Sequence, residues 1–463
     1  MTSLPKISSF FSGRVDLGKD SPMNAITRLA IPSMGLFVFN GLIHLIDTIF
    51  VSWLGEIQLA AMSFTAPVNI FLFALLECVG NGAITLMGQS LGRNDLDSAR
   101  KIAYSALALL YLMCLFMIPL IFPFVSYALF SAIGAEEQQL LMLCWKYNMW
   151  MPFILIFMGF TYMCNSIFRV QGDTITPFKA IALANIINLV FAPILIFTFG
   201  LGITGAAIAT LISRIGSSYY LLKKMREESH IIINPILRIT RGLSFYWKKI
   251  LWIGIPVALT SASVALGMGS VNKVLSMFGH RMVSSWMLGL RIEELALNFI
   301  MGINVSFIPF VAFNYGKRDY NRIRDGFKAA YMLGFILMCS MGVIIYAYPN
   351  IFLSLFKPLP EIEEMAARAI RASIPAYPFV VFVVLSSALF VGTGYSIFGT
   401  ISQTFRSIIF RVSAVLFFAK YLDIAHIWWF QSTAAIGGSL IAAVFFIYLM
   451  KRIKKDFKEI EQT

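Results

Sequence analysis

The segment Gly92-Arg93-Asn94-Asp95-Leu96-Asp97-Ser98-Ala99-Arg100 has a counterpart 224 residues later, Gly316-Lys317-Arg318-Asp319-Tyr320-Asn321-Arg322-Ile323-Arg324, and each copy directly follows a long apolar stretch. The same offset pairs Ile31-Pro32 with Ile255-Pro256, Leu42 with Leu266, Gly55 with Gly279 and Ala106 with Ala330. Identities between these positions are sparse, but the alignment needs no gap and joins loops to loops. The chain therefore reads as two related halves. One mismatch matters most: Asp47, deep in the first apolar stretch, has Val271 as its counterpart, so whatever an intramembrane carboxylate does belongs to the first half alone. Repeated halves around a central path, with an ionisable group in one of them, are a common build for secondary transporters.

Of the 463 residues, 59% are hydrophobic and 13% charged, against roughly 25% charged in a soluble globular chain. The apolar runs suit membrane helices at about 20 residues per span and lack the short alternating segments of a membrane barrel. Twelve spans are expected, near 29–53, 59–88, 102–130, 140–168, 178–199, 203–222, 247–278, 283–313, 328–355, 366–391, 398–419 and 426–450, six in each half. The net charge of +14 comes from Lys and Arg on alternate loops, the pattern of cytoplasmic loops, so it calls for no nucleic-acid partner. Arg93, Arg100, Lys101, Arg169, Lys179, the 223–249 linker, 317–328 and 451–458 mark that side, while opposite loops are short or acidic, as at Glu136-Glu137. Both termini are expected in the cytoplasm of a multi-pass, monomeric inner-membrane protein. The first 22 residues have no apolar core and read as a tail, not a cleavable signal. Cys78, Cys114, Cys144, Cys164 and Cys339 lie in apolar spans at unrelated spacings, which suggests neither disulfides nor a metal site.

These features divide the chain into a tail (1–22), a first lobe (23–224), a cytoplasmic linker (225–246), a second lobe (247–450) and a second tail (451–463). Pro32, Pro67, Pro193, Pro256, Pro375 and Pro378 fall inside spans. Each removes a backbone donor and permits bending; Pro32 is the candidate hinge of the first helix.

Asp47 lies about two turns from the outer end of the first span. A charge at the centre of a membrane helix costs about 2.5–3.5 kcal/mol on insertion scales, so it should face protein or water. Burial disfavours the charged form of a carboxylate, which lets such a group take up and release a proton. His44 sits one turn earlier on the same face and is a candidate to share that proton. Asn165 in the fourth span, Asn188 with Asn185 in the fifth, and Thr210 in the sixth also need partners; singly each is interhelical glue, and together with Asp47 they can line one polar pocket. Further candidate cavity residues are Glu77 in the second span, Lys273 in the seventh, and Glu293 and Glu294 beside Arg291 in the eighth. Lys273 is expected to pair with one of those glutamates inside the second lobe. Twenty-three Met and 42 Phe suit a pliable cavity for lipophilic cations, although most must pack between helices or face lipid.

The chain resembles the multidrug and toxic compound extrusion (MATE) family from Ala30 to about Ile447. The resemblance is carried by Asp47-Thr48-Ile49-Phe50-Val51 with Leu54-Gly55, by Gly80-Asn81-Gly82-Ala83 with Leu91-Gly92, by Phe168-Arg169-Val170-Gln171-Gly172-Asp173-Thr174, and by Gly200-Leu201-Gly202 leading into Gly205-Ala206-Ala207-Ile208-Ala209-Thr210. It implies an all-α membrane protein of twelve helices in two six-helix lobes arranged in a V, which exports organic cations in exchange for protons or sodium ions. Asp47 matches the family's first-lobe coupling carboxylate, and Asn165, Asn188 and Thr210 match its polar partners. Where many relatives carry an Asp just before the helix-five Pro, this chain has Ala192 before Pro193. Loss of that hard anionic oxygen ligand favours protons over sodium. The second-lobe carboxylates of other relatives are also missing: Val264 stands at one position and the tenth span has no Asp, which makes the chain similar to the DinF-type branch. The resemblance thus implies a multidrug antiporter for lipophilic or cationic small molecules, with no cofactor beyond the coupling ion. A flippase for a lipid-linked precursor and a non-transporting receptor are the alternatives. An enzyme is not expected, because four scattered histidines supply no HExxH motif and no catalytic pair is evident.

Overall fold

The computed structural model describes residues 14–461 except 133–134, 136, 234–242, 357 and 422–423, and the described residues form helices and connecting turns. Twelve helical spans follow one another: α1 Pro22–Ser52, α2 Glu56–Gly92, α3 Leu96–Ile121, α4 Gln138–Val170, α5 Ile175–Thr198, α6 Ile203–Glu228, α7 Ser244–Ser276, α8 His280–Gly316, α9 Tyr320–Ala347, α10 Pro360–Thr393, α11 Ser396–Tyr421 and α12 His426–Glu459. All but α6 are long and apolar enough to cross a membrane. Arg214 and the serines around it lower the hydropathy of α6, a first sign that this helix faces something other than lipid. Helices are the natural solution for such runs, because each satisfies its backbone polar groups within itself.

The spans are interrupted where the chemistry predicts. Helix α5 loses α-helical register just after Pro193, passing into a π-helical turn at Ile194–Thr198, since proline supplies no N–H to the ladder. In α10 a 3-10 turn at Ile374–Ala376 contains Pro375. The expected third span, 102–130, is in fact α3 followed by a separate short helix, Pro123–Ala132. Helix α6 runs through Lys223-Lys224 to Glu228, where Lys224 Nζ meets Glu228 Oε1 at 2.6 Å, so the expected linker begins inside a helix; its residues 234–242 lie outside the described set. The expected second tail is largely a continuation of α12.

The repeat seen in the sequence is repeated in backbone detail. Helices α2 and α8 each have 37 residues; they follow Gly55 (φ 123°) and Gly279 (φ 105°). After each comes a left-handed residue, Asn94 (φ 60°) or Arg318 (φ 64°), and then an aspartate that caps the next helix. Asp95 Oδ1 accepts from the Ser98 N–H at 2.9 Å and Asp319 Oδ1 from the Arg322 N–H at 3.0 Å, satisfying donors that a helix start leaves unpaired.

Two compact units result among the described residues: unit 1 takes 14 and 35–254, and unit 2 takes 15–34 and 255–461. Compared with lobes of 23–224 and 247–450, the opening parts of α1 and α7 are exchanged, and each helix changes unit within three residues of Pro32 or Pro256. Within unit 1, α7 docks on α2 so closely that Gly82 abuts the Ile250 carbonyl and Gly254 the Cys78 carbonyl; a side chain at either glycine would strike backbone. Within unit 2, Gly302 lies against Met34, and Ser306 Oγ donates to the Leu29 carbonyl at 2.9 Å. Residues 15–20, expected as part of a tail, also dock in unit 2: Leu17 is buried, and its carbonyl accepts from Asn314 Nδ2 at 3.0 Å and from an Arg322 guanidinium N–H at 3.1 Å.

Candidate functional site

A cavity of about 390 Å³ opens within unit 1, enclosed by α1, α2, α4, α5 and α6. Helical spacing builds its walls. From α1 come Asn40, Ile43, Asp47 and Val51, three or four residues apart and hence on one face. Helix α6 presents Ala206, Thr210 and Arg214 on successive turns, with Ser213 beside them. Asn69 of α2, Tyr147 of α4, and Asn185 and Asn188 of α5 complete the polar lining, while Met62, Phe73, Met151 and Met158 contribute apolar surface.

The polar groups tie the helices together in pairs. Asn188 Nδ2 donates to Thr210 Oγ1 at 3.3 Å, and that hydroxyl donates to the Ala206 carbonyl at 3.1 Å. Asn185 Nδ2 reaches Asn40 Oδ1 at 3.4 Å. Such interhelical bonds contribute on average about 0.6 kcal/mol each, so they shape the wall more than they stabilise the fold. Asp47 is half-buried and accepts no hydrogen bond among the described residues. It interacts electrostatically with Arg214, yet no ion pair within 4 Å joins them.

Four of the expected site residues, Asp47, Asn185, Asn188 and Thr210, thus meet at one cavity. Asn165 does not line it. The cavity-facing row of α4 ends at Met158, and Asn165 is one heptad further along, about 10 Å of helix rise. There it is 6% exposed with its Oδ1 unpartnered. Glu77 is half-buried in α2 outside the cavity lining, within electrostatic reach of Tyr162. Pro32 falls in the part of α1 that belongs to unit 2. The side chain of His44 lies outside the described residues.

In unit 2 the expected pairing of Lys273 is corrected. Lys273 is exposed and has no ion pair with either glutamate. Glu294 pairs with Arg291 at 3.1 Å across an exposed surface. Glu293, 7% exposed, accepts from Gln431 Nε2 at 3.4 Å and has Ser373 and, from α11, Arg411 and Arg406 within electrostatic reach. Arg406 Nε in turn donates to Gln403 Oε1 at 3.0 Å. Lys273 fails because it stands on the outer face of α7, whereas α11 brings two arginines to the buried side.

Reading the sequence missed Arg214, Arg406 and Arg411, although each is a basic residue inside an apolar span and was visible as such. At about 2.5–3.5 kcal/mol for a charge at the middle of a membrane helix, none is placed without a reason. Asn40, Asn69 and Tyr147 gave weaker signals, since amides and phenols are common in membrane helices.

The MatE family profile matches residues 32–194 and 256–416, one copy in each half. The FAD transporter of Shewanella oneidensis (strain ATCC 700550 / JCM 31522 / CIP 106686 / LMG 19005 / NCIMB 14063 / MR-1) is 29% identical over 381 residues, covering 79% of this chain and 81% of the relative. Multidrug export protein MepA of Staphylococcus aureus (strain MSSA476) is 23% identical over 461 residues, covering 96% and 97%. Among solved structures, a MATE transporter in complex with MaL6 superposes with TM-score 0.86 at 24% identity, covering 98% of this chain and all of the other. A MOP superfamily transporter from Pyrococcus furiosus Vc1 (DSM3638) gives 0.84 at 25% identity, covering 98% and 99%. With both halves matched and the helical order shared throughout, the chain belongs to the MatE family of membrane transporters.

Proposed function

We propose that this protein is an antiporter of the inner (cytoplasmic) membrane, with both termini in the cytoplasm, that exports small amphipathic, often cationic compounds in exchange for protons. Asp47 is the coupling carboxylate, and transport proceeds by alternating access. The observation that carries this reading is the meeting of Asp47, Asn188 and Thr210 at one cavity in unit 1. An ionised Asp47 attracts a proton or a cation; neutralising it changes the hydrogen bonding of the polar wall and permits α1 to bend near Pro32. The similarity to the multidrug export protein MepA supports a varied cargo.

Protons suit the site better than sodium. Ala192, at the position where relatives carry an additional Asp, is 1% exposed and supplies no side-chain oxygen, while a hard cation needs several oxygen ligands. If one monovalent cation leaves per proton, a difference of one pH unit supplies about 1.4 kcal/mol, a tenfold gradient. A lipid-linked flippase would need a strongly basic cavity for pyrophosphate, and Arg214 is the single Lys or Arg among the described lining residues.

The test is dye efflux from vesicles under imposed pH or sodium gradients, comparing the native chain with Asp47→Asn. Gradient-driven efflux by the native chain and its loss in the variant are expected. Unchanged efflux in the variant would reject Asp47 as the coupling group, and efflux that follows sodium alone would reject the proton. No substrate-dependent ion movement at all would favour a receptor.

A further inference from the structure

We infer that the unit 1 cavity takes substrates bearing an oxyanion, a carboxylate or phosphate, which Arg214 grips while Asp47 and the neighbouring amides hold the donor groups of the same molecule. This rests on the transport reading above and narrows its cargo from cations to amphiphiles that carry both signs of charge.

Arg214 occupies the third successive turn of the α6 face that lines the cavity, after Ala206 and Thr210. Its Nε is enclosed and has no acceptor, and among the described residues no ion pair within 4 Å joins its guanidinium to Asp47 or any other acid. A guanidinium is a fork of N–H donors with no acceptor of its own, matched to the paired oxygens of a carboxylate or phosphate. If Arg214 served only to neutralise Asp47, the two would close to ion-pair distance; instead both face the cavity. The opposite deficiency lies alongside. Asn69 Oδ1 and Asn188 Oδ1 are enclosed acceptors without donors, and Asn188 is 5% exposed. Buried polar atoms are normally satisfied, so the wall calls for a molecule with acceptors at Arg214 and donors at Asn69, Asn188 and Asp47. Met151, Met158 and Phe73 provide apolar surface for its body, and about 390 Å³ is within the size of small-molecule sites.

Matched probes isolate the oxyanion. Rhodamine 110 and its methyl ester rhodamine 123 differ by a carboxylate, and flavin mononucleotide and riboflavin by a phosphate. Uptake into inside-out vesicles containing the full-length chain gives kcat/KM for each probe, and hence a ratio of the oxyanion-bearing probe to its partner for each pair. Arg214→Gln is expected to lower that ratio at least tenfold in one pair or both, the pair affected identifying carboxylate or phosphate; Arg214→Lys should lower it about threefold, since the charge remains but the fork is lost. A ratio in Arg214→Gln within twofold of native in both pairs, whether or not absolute rates fall, would overturn the assignment. Should Arg214→Gln not fold, equilibrium fluorescence anisotropy on purified Asp47→Asn replaces it. Removing the acid loses a donor contact to both rhodamines but leaves the Arg214 guanidinium uncompensated for a carboxylate, so rhodamine 123 should weaken more than rhodamine 110, and equal weakening of both would overturn the assignment. The underlying transport reading is judged separately, by whether Asp47→Asn abolishes gradient coupling for any probe that is moved.

Discussion

Asp47 in unit 1 stands half-buried at the wall of a cavity that Arg214 also lines, whereas Glu293 in unit 2 is 7% exposed, accepts from Gln431 and has Arg411 and Arg406 within electrostatic reach. Both regions bury an acid near arginine, but the geometry gives the two acids different work. A carboxylate at the edge of open space can exchange a proton or meet a ligand with little rearrangement. One buried against Gln431, with two guanidinium groups in electrostatic reach, is held in an enclosed site, and its removal leaves uncompensated positive charge. The family repeat makes the contrast sharper, because the units share helix order and loop geometry, yet the counterpart of Asp47 is Val271, which is fully buried in an apolar cluster. One copy of a duplicated scaffold carries an acid at a cavity wall and the other an enclosed one.

The largest effect that would break this comparison is on transport. Asp47→Asn should cut gradient-driven dye efflux about 100-fold or more, while Glu293→Gln should leave efflux per folded molecule within about threefold; the reverse ranking would move the coupling site to unit 2. On stability the ranking should invert. Glu293→Ala strands Arg406 and Arg411 and should cost about 3–5 kcal/mol, seen as a fall in the thermal midpoint of detergent-purified protein, whereas Asp47→Asn should leave that midpoint nearly unmoved.

The loop twins offer a smaller test. Arg318 holds a left-handed conformation that costs a residue with a Cβ about 1–2 kcal/mol, and Asn tolerates it better. Arg318→Gly should therefore raise the thermal midpoint by the equivalent of about 1 kcal/mol, and Asn94→Gly by clearly less. Equal responses would mean that the Arg318 side chain stabilises its loop as much as its backbone strains it. The smallest effect is expected from Asn188→Ala, which removes one interhelical bond of about 0.6 kcal/mol. Its stability cost should be near that figure while its transport defect is much larger, since the same group shapes the cavity wall; a stability loss with intact transport would mark Asn188 as packing alone.

Much of this was legible in the chain because membrane helices leave direct signatures. Long apolar runs announced the spans, and Asp47, Asn188 and Thr210 stood out as polar groups that lipid would not accept. The gapless offset also joined positions that proved equivalent in backbone detail: Gly55 with Gly279, and Asp95 with Asp319. Other features were hidden for equally physical reasons. Asn165 shares the spacing of the α4 cavity face, and spacing alone does not say how far along a helix a cavity extends. Lys273 and the glutamates of α8 looked like partners because they are close in sequence, yet the arginines that face Glu293 come from α11, more than a hundred residues away.

The chain by itself determined that these residues cross a membrane as helices, that they do so in two related sets, and that Asp47 of the first set has no acidic counterpart in the second, because transfer into lipid is decided by composition and by the local satisfaction of backbone polar groups. Only the tertiary structure decided which polar side chains share a space, that Arg214 lines the same cavity as Asp47 while Asn165 does not, and that Glu293 is buried within electrostatic reach of two arginines. Those outcomes depend on the rotation and depth at which one helix packs on another, and the neighbours that set them are distant in sequence.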